Sequence, residues 1–203
     1  MVWSEILIIL TSALGATYIY WALESKYTDV KILCLLTLFS VITFQINKFL
    51  DYEYSAIVTE ILQLFTFSAV LIVLLITVRR LKPEFARYPY IIVFFPMLIP
   101  ALYPLIAGNE TIIHLVLQLL QIAALLSLIS LLVSHFEERR IIVLTVLASI
   151  LFIAAGSLFW FTETLQIGYW LWQTLAAFAI GLISFTFTKF YNYNSHIKKY
   201  EYK

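Results

Sequence analysis

Seven apolar runs, each long enough to cross a bilayer, constrain this chain more than any other feature. A hydrocarbon core of about 30 Å takes about 20 residues of helix at 1.5 Å each. Runs of that kind fall at about 3–23, 32–50, 55–78, 89–107, 111–135, 141–161 and 166–189. Backbone polar groups in lipid must bond internally, which leaves helices or closed barrels. Continuous apolar stretches of this length, without period-two alternation, specify helices. The reading is therefore all-α: a single seven-helix transmembrane domain over 1–190 and a short basic, tyrosine-rich cytoplasmic tail over 191–203. Hydrophobic residues make up 63% and charged residues 12%, against about 45–50% and about 25% in soluble domains. The longest hydrophilic connection, Arg79 to Arg87, leaves no room for a folded soluble insert. The opening Met1-Val2-Trp3-Ser4-Glu5 has no positive n-region, so the first run is expected to be a span rather than a signal peptide.

Charge then sets orientation. With seven spans, Lys26, Lys31, Arg79, Arg80, Lys82, Arg87, Arg139, Arg140, Lys189, Lys198, Lys199 and Lys203 share one side, and Lys48 stands alone on the other. Lys and Arg mark the cytoplasmic face while acids carry little orienting information. The expectation is an N-terminus outside, a C-terminus inside, and residence in the cytoplasmic (inner) membrane. Trp3, Trp21, Trp160, Trp170 and several tyrosines sit near span ends, as interfacial anchors should. The formal charge of +1 gives nucleic acid no basic stripe to bind. The lone Cys34 excludes an intrachain disulfide.

Three spans share a pattern. Gln63, Gln118 and Gln173 recur 55 residues apart, as do Ala69, Ala124 and Ala179. Spans 2–3, 4–5 and 6–7 thus read as three similar hairpins after a leading helix. Repeated membrane bundles often place their sites at repeat interfaces.

Polar residues inside a bilayer are costly and face protein or a water-filled cavity. Glu60 lies about 8 Å below the outer end of span 3 by helical rise, with Gln63 one turn deeper on the same face. His114, Gln118 and Gln121 share a face of span 5, Gln173 lies at similar depth in span 7, and Gln45 and Asn47 close span 2. Together they are expected to form a polar layer in the outer half, with Glu60 and His114 as its ionisable pair. The competing expectation is that the amides only join helices, at about 0.6 kcal/mol each. Pro96, Pro100 and Pro104 in span 4 each remove a backbone donor. Such a helix is expected to be bent or partly unwound, which makes these prolines hinge candidates.

The catalytic classes find little support. A retinal protein needs a lysine deep in its last span, whereas Lys189 sits at the cytoplasmic end. Sugar transporters of 3+1+3 layout carry prolines in corresponding repeat helices, and here all five lie in or beside span 4. His114 and His135 share one helix about 30 Å apart and His196 is in the tail, so no haem or zinc set is expected. Neither a metal nor a cofactor is expected, and an enzyme is not the leading reading, although a lipid-modifying activity with unfamiliar residues stays open. The leading expectation is a binding or sensing bundle with an outward-facing polar pocket, working through membrane partners. A small transporter or channel using Glu60, or an accessory subunit of a larger membrane complex, are the alternatives. The expected partners are the lipid bilayer and a membrane protein or second copy.

Overall fold

A computed structural model describes residues 2–50, 53–81, 87–135, 139–165 and 169–201. The described residues are helical and contain no strand. They form α1 (Val2–Ala22), a 3₁₀ turn (Ser25–Tyr27), α2 (Thr28–Asn47) and α3 (Ser55–Leu81). A 3₁₀ helix (Tyr90–Met97), α4 (Leu98–Ala101) and α5 (Tyr103–Ile106) follow, then α6 (Glu110–His135), α7 (Arg139–Leu165) and α8 (Tyr169–Glu201). Among the described residues, four stretches are long and apolar enough to cross a membrane: Trp3–Ala22, Ser25–Asn47, Ser55–Arg80 and Trp170–Asn192. Only 22–44% of their most apolar windows is buried. Leu10, Leu14, Phe39 and Phe178 stand exposed along them, a surface that water would penalise and lipid does not. Shorter apolar helices cover Tyr90–Ala101, Glu110–Ala124 and Val143–Phe159.

Threonines survive in these apolar helices because their hydroxyls turn back on the preceding turn. Thr11, Thr43, Thr66, Thr77 and Thr186 each donate to the carbonyl four residues earlier, at 2.7–2.9 Å. The donor is thereby satisfied without water.

The chain divides into two compact units, residues 1–35 with 136–203 and residues 36–135, the boundary falling inside α2. In the first unit α8 packs against both α1 and α7. The buried face of α1 is Ser4, Ile8, Ser12, Gly15 and Ile19, spaced by three and four, and Leu23 just past the helix continues it. On α7 the buried positions include Thr145, Ala148, Ser149 and Ala155, and on α8 Ala177, Ala179 and Ser184. Small residues on facing helices let backbones approach closely, and dispersion then holds them. At one end of this unit Tyr191 meets Tyr27, Phe187 and Phe190, with centroids 4.8, 4.9 and 5.7 Å away. Beside it Asn192 Nδ2 donates to the Ala22 carbonyl and Lys31 Nζ to the Tyr20 carbonyl, both at 2.8 Å. The last carbonyls of α1 have no intrahelical donor, and these two side chains cap them.

In the second unit α3 is the central element, packing against α6, the 3₁₀ helix and α4. Leu74 and Ala124 form a buried contact that Val70 and Val78 extend. Ser40 on α2 meets Thr66 on α3 through their hydroxyls at 2.9 Å. The proline-rich run is divided into three short pieces. Pro96 lies buried inside the 3₁₀ helix, and α4 ends at Ala101 just after Pro100. Pro104 sits in the first turn of α5, where its missing donor costs nothing. Gly108 then turns the chain at φ 83°, a left-handed conformation that a Cβ would oppose.

Candidate functional site

Where α2 ends, Asn47 joins the two helices of its hairpin. Its Nδ2 donates to the Ser55 carbonyl at 2.9 Å and to Thr59 Oγ1 at 2.8 Å, and the Thr59 hydroxyl donates to the same Ser55 carbonyl at 2.8 Å. Asn47 is 4% exposed, so its two donors must find partners inside the protein. Replacing Asn47 with alanine is expected to cost about 1 kcal/mol, at the usual net worth of such bonds. Thermal unfolding in detergent micelles checks this, and an unchanged midpoint would contradict it.

Beside this junction lies an open cleft of about 400 Å³, lined by Asn47, Lys48, Leu50, Ser55, Ala56, Thr59 and Glu60. The cleft contains the start of α3, whose first backbone N–H groups have no partner within the helix. Glu60 stands half-buried one turn further along. Tyr103 Oη donates to Glu60 Oε2 at 2.7 Å. Tyr103 is 6% exposed and comes from α5, so the broken fourth run supplies the partner for this carboxylate. The sequence suggested His114 for that place. Lys48 Nζ lies 4.4 Å above the Phe44 ring, a cation–π contact with the last turns of α2.

None of the other sequence candidates lines this cleft. Gln63 is half-buried on α3 one turn past Glu60. On α6, His114 and Gln118 are exposed and Gln121 is half-buried. The packing face of that helix is Ile113, Leu117, Leu120 and Ala124, and the three polar residues occupy a neighbouring face. Gln45 is 2% exposed and its Oε1 has no hydrogen-bond partner among the described residues. Gln173 belongs to the first unit, where Ser4 donates its hydroxyl to Gln173 Oε1. Both are buried, and the pair joins α1 to α8. The three glutamines spaced by 55 residues therefore occupy a half-buried, an exposed and a buried environment, while Ala69, Ala124 and Ala179 are all buried to within 2%. The environment common to the three pairs of positions is that of the alanines.

Lys48, Ser55, Ala56, Thr59 and Tyr103 did not stand out in the sequence as site residues. Lys48 carried a signal of its own as the one basic residue expected outside. Tyr103 was indistinguishable from an interfacial anchor. Among the described residues no group of three His, Cys, Asp or Glu side chains is placed to hold a metal ion. The cleft is lined instead by one basic residue, Lys48, one acid, Glu60, and the polar residues Asn47, Ser55 and Thr59 at the end of a hairpin. No protein-family model, curated protein or solved structure matches this chain.

Proposed function

We propose that this is a seven-span protein of the cytoplasmic membrane whose α2–α3 cleft faces outside and binds a small polar ligand, as a sensing or ligand-binding bundle. The observation that carries the reading is the cleft itself. Oppositely charged side chains and several hydrogen-bonding groups line one cavity of about 400 Å³, a size within the range of small-molecule sites. The charge asymmetry supports the orientation, because Lys48 would be the lone basic residue on the cleft side. The bond from Glu60 to Tyr103 gives ligand a route to the broken fourth run. That same bond favours a second reading, a small transporter in which Glu60 loads a cation and the proline-interrupted segment moves.

Topology is tested by single cysteines in a Cys34→Ser background. A membrane-impermeant maleimide applied to intact cells should label a cysteine at Lys48 and leave one at Arg139 or Lys198 unlabelled. Labelling of Arg139 from outside would remove the orientation. Binding is tested by thermal shift of the purified chain against a panel of small polar compounds and lipids. Ala56 is exposed in the cleft wall, so Ala56→Trp fills the cavity with little effect on packing. Stabilising compounds should lose their effect in Ala56→Trp. If no compound stabilises the protein, or if stabilisation survives that substitution, the cleft is not a binding site. Flux in proteoliposomes that collapses in Glu60→Gln would favour the transporter.

A further inference from the structure

Resting on the reading of α6 as a membrane span, we infer that this chain pairs with a second copy of itself through the face of α6 opposite α3, where Gln118 meets its own counterpart. α6 packs against α3 through Ile113, Leu117, Leu120 and Ala124, each 4% exposed or less. Thr111, Leu115, Gln118 and Ile122 lie two positions out of step with that face, about 200° around a helix of 3.6 residues per turn. All four are exposed, Leu115 and Ile122 at 57% and 53%. Their spacing is four, three, four, the a/d pattern that keeps two helices in contact along one seam.

Gln118 separates this face from one that merely meets lipid. The helix starts at Glu110, so the amide lies about 12 Å along it at 1.5 Å per residue. Leu115, Leu119 and Ile122 around it are exposed and apolar. Lipid tails there offer an amide neither donor nor acceptor, and an unsatisfied polar group in hydrocarbon costs several kcal/mol. The occupant follows from topology and chemistry together. Copies of one membrane protein insert in the same orientation, so α6 of a neighbouring copy runs parallel at the same depth. In a parallel pair each a or d position packs beside its counterpart, and a twofold axis brings identical patches together. A glutamine amide carries two donors and an acceptor, so two amides across the axis bond reciprocally. A carboxylate or an ammonium would satisfy only one side of that amide. The leucines alone select no partner, because lipid tails are as apolar as leucine.

The test uses the full chain in a Cys34→Ser background, labelled at Lys198→Cys with donor or acceptor dye and reconstituted in liposomes at decreasing protein-to-lipid ratios. Energy transfer should report a dimer, and Gln118→Leu should weaken it about tenfold, the worth of one or two interhelical hydrogen bonds in lipid. Gln118→Asn keeps an amide and should restore most of the affinity. In a second arm, single cysteines replacing Leu115, Gln118 or Ile122 should cross-link to their own copies in native membranes. Leu14→Cys, on α1 and 68% exposed, should not. A chain that stays monomeric, an unchanged affinity in Gln118→Leu, or cross-linking strongest in Leu14→Cys would overturn the pairing. So would cross-linking of Gln118→Cys to a different polypeptide, which would give the face to another partner. Labelling of Gln118→Cys in intact cells by an impermeant maleimide would put water beside that face and also overturn it. The span assignment is read separately, from the labelling at Lys48 and Arg139, so its failure is distinct from failure of the pairing.

Discussion

Truncating Tyr191 to alanine should lower the stability of the α1–α8 unit by about 3 kcal/mol, the low end for removing a large buried aromatic. The ring is 4% exposed and touches three other aromatic rings, with the Tyr27 contact edge-on at an interplanar angle of 70°. Such pairs contribute about 0.5–1.5 kcal/mol beyond the area they bury. Tyr27 belongs to the turn between α1 and α2, so the loss falls on the joint that holds that turn against α8. Tyr191→Phe keeps the ring contacts and should cost less than about 1 kcal/mol. Both variants are compared by reversible unfolding in mixed micelles. Equal losses from alanine and phenylalanine would move the stabilisation from the ring contacts to the hydroxyl. The neighbouring Asn192 cap would still stand, and Asn192→Ala would test it separately at about 1 kcal/mol.

The apolar runs located the helices because hydropathy is a property of single segments. The fourth run shows why this worked even where the helix failed: Pro96, Pro100 and Pro104 each delete a donor that no tertiary context restores, so the interruption was visible in sequence. The α1 interface was legible in part. Ser12 and Gly15 are small residues three apart on one helical face, and both are buried, whereas Ser4 gave no sign that it would meet Gln173, 169 residues away. The choice of partner for a polar group depends on which helices become neighbours, and a period of 3.6 residues reports only which face a side chain occupies. The same limit explains Glu60. Its cost inside a membrane announced the need for a partner, yet nothing local distinguished His114 from Tyr103. The cleft was legible only at Glu60 and Asn47, because its remaining wall is the first turn of α3 and a lysine that hydropathy counts as loop.

Breaking the Glu60–Tyr103 bond from both sides should reveal a coupling of about 1–2 kcal/mol. Hydrogen bonds to charged groups contribute about 1.5–3 kcal/mol, and the half-exposure of Glu60 reduces that figure through solvent screening. Tyr103→Phe removes only the donor and preserves the buried ring, so its loss reports the bond at 2.7 Å rather than packing. In a cycle with Glu60→Gln, the double variant should be less destabilised than the sum of the single ones by that amount, as for any two residues in direct contact. A parallel cycle pairing Glu60→Gln with His114→Ala should be additive within about 0.5 kcal/mol. Coupling to His114 and additivity with Tyr103 would reverse the assignment of the partner. The same variants separate the two functional readings. In a sensor, Tyr103→Phe should leave ligand affinity within about threefold, because the cleft wall at Lys48 and the start of α3 is untouched, while weakening the response of the proline-interrupted segment to ligand. In a transporter it should slow flux without changing the dependence on Glu60. A cysteine-reactive fluorophore at Leu105, exposed on α5 at 80%, reads that segment directly. A fluorescence change on ligand addition that persists in Tyr103→Phe would mean that the signal leaves the cleft by another path.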